Sequence, residues 1–422
     1  MVGTTLGGLV AAAYLARAGL RVVVLEEEVH GQRPPLLREP LLLSGLERGG
    51  PLHMVLEELG VPMVERRELA ADPVALQVIL DGARIDVGRG RAALADELEA
   101  YGLAKSPEAL DWLEALDAGG ESMRAELRAG GRPPSAPLRE LSSRLGLAPR
   151  PPEVDAIPLL PQTPPSLEPF YAAICEGLSG GSGPVPAGPA SLLLRSTRDG
   201  AHRMPHAGKP FLDLLRRRIV EFHSEIQPAG SLRLVRERSA IGFDLARGRR
   251  LAGALVIAVP LRPLASALEA SAPRWLRRGL PPVEVPIRLL RADHSAIPVG
   301  MARRGIDATG PGVRWWTRSA DPNDSRIEWI LVGGPGVREL SPEAPLGRLA
   351  PFASGRFETL DPGPVPKWDL DSFHFDAGAP ALLQRRPPVY AVGPQRAPEF
   401  GFEGEILLAR ATAFQLIERL GV

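Results

Sequence analysis

Apolar and polar positions change their period several times along this chain, and each change predicts an element. Residues 1 to 28, MVGTTLGGLVAAAYLARAGLRVVVLEEE, read as a Gly-rich turn, a small-residue helix ending at Gly19, and a β-branched strand ending in acid. This is half of a βαβ unit, in which only Met1 and Val2 stand for the first strand. A helix predicted from Pro210 to Phe222 puts Phe211, Leu214, Leu215 and Ile219 on one face. Arg216, Arg217 and Arg218 fall around its other face, where solvent is their expected environment. SLRLVRER and AIGFDLARG predict a hairpin-rich β unit, and RLAGALVIAVP a buried strand ending at Pro260. VEVPIRLLRA, GVRWWTR and RIEWILVGG are further strand candidates. Repeated prolines between Pro149 and Pro165 forbid a regular helix and predict an extended connection, and Ser179 to Gly183 predicts a flexible tract. Residues 389 to 417, VYAVGPQRAPEFGFEGEILLARATAFQLI, predict a strand breaking at Gly393, a Pro/Gly loop and an apolar-periodic helix.

Composition narrows the class. A chain of 422 residues exceeds the size at which one core usually keeps growing, which predicts two domains. Hydrophobic residues at 44% and charged residues at 24% argue against global disorder. Fifty basic residues balance fifty acidic ones, so no net field favours nucleic acid, while peripheral membrane contact stays open. The single cysteine, Cys175, cannot form an internal disulfide, and no Cys/His spacing suits zinc; a reducing, cytoplasmic setting is expected. The start carries no secretion signal, and the Leu9 to Ala16 run is too short to span a bilayer. The first strand looks truncated, through either a late start codon or a true loss that would leave a sheet position empty; the sequence leaves both open.

The opening turn carries the first chemistry. In the G-x-G-x-x-G fingerprint the first Gly makes a tight turn, the second lets backbone approach a pyrophosphate, and the third lets helix and strand pack closely. Gly3, Thr5 and Gly8 stand at those positions, with Leu6 and Gly7 completing the candidate binding turn. Glu26, at the end of the following strand, is placed to accept hydrogen bonds from ribose hydroxyls, and the helix N-terminus favours a phosphate. Thr5 departs from the pattern by placing a β-branched side chain where bare backbone is wanted.

The C-terminal segment supplies Gly393, Pro398, Gly401, Glu403 and Gly404 in order. With the opening turn, this run resembles the FAD-dependent amine oxidase and phytoene desaturase superfamily, whose members close their flavin site with such a strand, loop and helix start. The resemblance implies an α/β fold: a Rossmann-like, glutathione-reductase-like FAD/NAD(P)-binding domain interleaved with a mixed α+β substrate domain. Residues 1-100, 196-261 and 351-422 are expected in the first, and 101-195 and 262-350 in the second. FAD is the implied cofactor, held by Gly3, Thr5, Leu6, Gly7, Gly8, Glu26, Arg33, Leu232, Gly393, Pro394, Gly401, Glu403 and Gly404. Arg33 follows Gly31-Gln32 in the place of the family's Gly-Gly-Arg, and a surface turn is the alternative reading there. Leu232 or Leu234 is the candidate for backbone contact with adenine. Pro394 replaces the family's Asp, removing an acceptor and a backbone donor.

The implied activity is hydride transfer from an apolar C–H substrate, a polyene or terpenoid, to flavin N5. Thr5, Gln32 and Pro394 support the competing reading of a flavin-less pseudoenzyme acting as a binding or scaffold protein. A nicotinamide dehydrogenase is a third reading, disfavoured by the C-terminal closure. Trp315, Trp316 and Trp329 suit either a substrate wall or core packing, with core packing the weightier. Trp368 lacks a matching second aromatic. Pro205 between His202 and His206 excludes a helical metal site, and no G-x-S-x-G elbow supports a hydrolase.

Overall fold

In a computed structural model of the chain, the structure describes residues 1–26, 45–67, 74–88, 90–129, 162–178, 187–199, 209–268, 271–278, 286–310, 313–319, 326–333, 341, 343–351, 356–360, 382–393, 396 and 400–421. The first third runs α1 (Leu6–Arg17), β1 (Val23–Glu26), α2 (Pro51–Glu58), α3 (Met63–Arg67), β2 (Val74–Leu80), β3 (Ala83–Gly88), α4 (Arg91–Ala100) and α5 (Ser106–Arg128). Next come α6 (Glu168–Leu178), α7 (Ala187–Asp199), α8 (Lys209–Glu221), β4 (Glu225–Pro228), β5 (Arg233–Arg236), β6 (Ile241–Leu245), β7 (Gly248–Ala252), β8 (Leu255–Ile257) and α9 (Leu261–Leu268). The last third holds β9 (Ile287–Asp293), β10 (Arg304–Asp307), β11 (Val313–Ser319), β12 (Arg326–Gly333), α10 (Glu343–Leu349), β13 (Glu358–Leu360), β14 (Leu382–Arg385), β15 (Pro388–Ala391) and α11 (Gly401–Leu420).

The nucleotide-type sheet is stitched by one residue. β4 pairs with β1, and β8 with β15, all parallel, while Val2 bridges Leu25 on one side and Ile257 on the other. Val2 N–H donates to Val256 O at 2.9 Å, and Ala258 N–H donates to Val2 O at 2.7 Å. Met1 and Val2 therefore complete the ladder at their own level, and β14 adds an antiparallel edge. A cavity of about 430 Å³ lies beside them, lined by Met1, Val23, Leu255 and Leu416 among others. α1 is buried from Leu6 to Ala16 because its Ala11–Ala12–Ala13 run leaves no bulk between helix and sheet. A Cβ on Gly8 would fall 2.6 Å from the Ala258 Cβ, so glycine is what allows this approach. The β5–β6–β7 meander flanks the sheet, as the hairpin-rich pattern predicted.

The second sheet has seven strands in the order β13-β9-β12-β11-β10-β2-β3, antiparallel throughout except for the β10–β2 pair. This sheet draws strands from both sides of the expected domain boundaries. β2 and β3, placed by sequence in the nucleotide-binding part, belong to this sheet, and Leu94, Ala95 and Leu98 of α4 share its core with Leu193 and Leu194 of α7. β13 also joins it. The sequences of β2 and β3, VALQVIL and ARIDVG, carry no mark of the partner strand. Trp315 and Trp329 are fully buried in the core on one side of this sheet, Trp329 edge-on to Phe357 at 5.6 Å, so core packing is their role. Among the described residues no helix is long and apolar enough to cross a membrane.

Candidate functional site: a dinucleotide cradle

The two ends of the chain meet where α1 begins. Gly3 has φ +103°, a turn that L side chains rarely adopt, and its Cβ position lies 2.5 Å from Val259 Cγ1 at the end of β8. Gly393, just past β15, has φ +95°, with its Cβ position 3.1 Å from Ala258 O and 3.3 Å from Thr5 Oγ1. The opening turn, the end of β8 and the loop after β15 thus converge on Ala258, and α11 lies along α1.

The first turn of α1 finds its acceptors within the chain. Thr5 is the N-cap, its hydroxyl accepting from Gly8 N–H at 3.2 Å, and Glu405 Oε1 accepts from Gly7 N–H at 2.6 Å. Thr5, Leu6, Gly7, Gly8 and Glu405 are all buried. Sequence reasoning missed Glu405, because nothing local to either residue joins positions 398 apart.

Glu26 ends β1 half-exposed, paired with Arg216 of α8. Arg216 therefore departs from the solvated role expected of it. Arg217 stays exposed and pairs with Glu65, while Arg218, partly buried like Arg216, donates to Gly60 O and pairs with Glu221. Leu232 sits just before β5, packed against the core beneath the meander. Arg33, Gln32, Pro394, Pro398, His202, His206 and Trp368 lie outside the described residues.

The Glu403 carboxylate is held by side chains of α5 and α7. Only 1% exposed, it accepts from Arg124 Nε at 2.6 Å, from Arg124 NH2 at 2.8 Å and from Ser196 Oγ at 2.6 Å. Arg124 of α5 is 2% exposed and also donates to Glu47 at 2.7 Å. At 100° per residue, Glu403 and Glu405 point about 200° apart around α11. One therefore anchors the helix to α5 and α7, and the other reaches α1. Gly401 and Gly404 open the same helix, Gly401 with φ +53°.

Burial holds the Glu47 carboxyl above its ordinary value of 4.5, with repulsion from Glu403 adding to it and Arg124 only partly opposing. A raised carboxyl stabilises the fold fully below its ordinary pKa and loses that contribution as pH rises through the folded value. Glu47→Gln is therefore expected to gain on the wild type as pH rises from 4 to 7. Denaturation midpoints measured across that window check this, and a gain for the wild type over the same rise would contradict it.

Against solved structures, the likeness runs the length of the chain. Putrescine oxidase bound to putrescine superposes with a TM-score of 0.58 at 16% identity, covering 99% of this chain and 98% of the other. An oxidoreductase from Methanosarcina mazei gives 0.54 at 17% identity over 99% of both chains. Cyclohexylamine oxidase from Brevibacterium oxydans gives 0.51 at 16% identity, covering 100% and 98%. The chain has the amine oxidase fold. No family sequence profile and no curated protein sequence matches it. What is common with these oxidases is therefore the architecture. Within that fold, Gly3, Glu26, Gly393 and the start of α11 stand around the opening turn, while Glu405 reaches the first turn of α1.

Proposed function

We propose that the chain is an FAD-dependent oxidoreductase, and the observation that carries this reading is the convergence of Gly3, Ala258 and Gly393 within an amine oxidase fold. The ribose end of the cradle fits the cofactor: Glu26 stands at the end of β1 with its carboxylate half-exposed, and Arg216 holds its orientation. The Gly3 turn brings bare backbone to the start of α1, whose positive end suits phosphate. The phosphate end fits once the Glu405 carboxylate has left Gly7 N–H.

When bound, FAD would supply a hydride acceptor at its N5. The contribution of this chain is then to bind, orient and exclude water. The buried interior between α5, α7 and α11, closed by Arg124 and Glu403, would hold the first turn of α11 rigid against the cofactor. For substrate, the reading is a small apolar molecule oxidised at a C–H bond. Its polyene or terpenoid form rests on the resemblance of the Gly401 to Glu405 run to the desaturase branch. The named neighbours include oxidases of putrescine and cyclohexylamine, so an amine is the class to assay beside it.

Difference absorbance in the flavin bands tests the cofactor. Titration with FAD is expected to saturate at one equivalent per chain; no saturable uptake by the wild type or by a Glu405→Ala variant overturns the reading. Glu26→Ala is expected to weaken FAD binding about 10- to 100-fold, the worth of hydrogen bonds to a charged acceptor. Unchanged affinity would remove Glu26 from the ribose site. A second reading, a flavin-less binding protein of the same fold, is favoured by the closed first turn of α1, and colourless, FAD-indifferent protein is its signature.

A further inference from the structure

The N-terminus of α1 is an anion site that the chain fills with its own carboxylate. Gly7 N–H donates to Glu405, Gly8 N–H to the Thr5 hydroxyl, and Leu9 N–H to the Thr5 carbonyl at 2.9 Å. Glu405 is 7% exposed and lies close enough that a Cβ on Gly7 would fall 2.7 Å from its Cγ and 3.1 Å from its Oε1. Position 7 is one that the dinucleotide fingerprint leaves free. Glycine there has a local cause: it opens the space through which Glu405 reaches the backbone. Thr5, at the position where the fingerprint wants bare backbone for a pyrophosphate, spends its hydroxyl on the next donor. One departure from the pattern, Thr5, and one carboxylate from outside it, Glu405, thus take the N–H groups of Gly8 and Gly7.

The carboxylate is delivered by a fixed element. Glu403, two residues earlier on α11, is clamped by Arg124 and Ser196 on the opposite face. Glu405 is therefore presented to α1 at high effective concentration, as a tethered ligand is. A diphosphate brought to the same donors would meet a like charge at hydrogen-bond distance, in a buried setting where salt screens little.

We propose that Glu405 is an internal anion that closes the phosphate subsite of this cradle, and that a dinucleotide enters only by displacing it. The identity of the dinucleotide rests on the FAD reading above; the competition itself does not. The closed form gives Gly7 N–H and Gly8 N–H acceptors without a ligand, so the free chain folds with the site shut.

Full-length wild type, Glu405→Ala and Glu405→Gln proteins decide the matter in two titrations. The first follows FAD by difference absorbance, and the second follows inorganic pyrophosphate by its shift of the thermal midpoint. Glu405→Ala is expected to bind at least one of the two ligands tenfold or more tighter than the wild type, with Glu405→Gln between them. Without ligand, Glu405→Ala is expected to melt below the wild type, because Gly7 N–H has lost its acceptor, and Glu405→Gln less so. Equal or weaker binding of both ligands by Glu405→Ala overturns the proposal. Where pyrophosphate discriminates the variants and none takes FAD, the FAD reading falls and the role of Glu405 stands. Should Glu405→Ala fail to accumulate as folded protein, Glu405→Gln, which keeps an acceptor oxygen, carries the same comparison.

Discussion

Arg124→Ala is expected to destabilise the fold by about 3–5 kcal/mol, the usual result of removing one partner from a buried ion pair. Arg124 and Glu403 are 2% and 1% exposed, and the guanidinium donates twice to Glu403 and once to Glu47. Burial alone would push the Arg124 pKa down, but Glu403 and Glu47 together outweigh it and raise it, so the group stays charged. Its removal leaves Glu403 with Ser196 and no countercharge. Denaturation midpoints measure the loss; a change below about 1 kcal/mol would show that relaxation or water replaces the pair. The triple variant Glu47→Gln/Arg124→Met/Glu403→Leu removes all three charges and should recover part of the loss, because a buried ion cluster contributes more by matching than by net attraction. The consequence extends beyond stability, since this pair fixes the start of α11 and therefore the position of Glu405.

Gly3→Ala is the second large effect. At φ +103° an L side chain carries about 1–3 kcal/mol of backbone strain. Its Cβ would also fall 2.5 Å from Val259 Cγ1 and 3.0 Å from the backbone of Ala258 and Val259. Overpacking of this kind costs about another 1–3 kcal/mol, because two of the three nearest atoms are backbone and the third belongs to a buried side chain. The midpoint should fall accordingly, and FAD uptake should fall with it. Gly19→Ala is the matching control, since φ is +86° there and no atom lies within 4 Å of its Cβ position. Equal losses at the two positions would mean that strain alone governs both.

The elements around the cradle were legible because their signals are local. The turn at Gly3, the Ala-rich helix and the acid at Glu26 lie within one short segment whose periodicity and spacing follow from backbone geometry. The break at Gly393 and the helix from Gly401 were legible for the same reason. Arg216 was read as a surface residue because helical periodicity reports a face, and Glu26 lies 190 positions away on another element. Glu403 was placed at the cofactor on resemblance, and the side chain that captures it, Arg124, sits in a helix with no motif. That β2 and β3 join the seven-stranded sheet was not legible, because the sequence of a strand says nothing of the sheet it joins.

By itself, then, the sequence determined the opening turn, helix and strand, the β5–β6–β7 meander, β8, and the strand, break and helix at the C-terminal end, and that the turn at Gly3 wants glycine. Those properties depend on torsion angles and on neighbours a few residues apart. Only the tertiary structure decided which carboxylate faces which cation and which one caps α1. Such pairings are set by long-range packing, in which Glu403 and Glu405, two residues apart, are turned to opposite faces of one helix and receive opposite tasks.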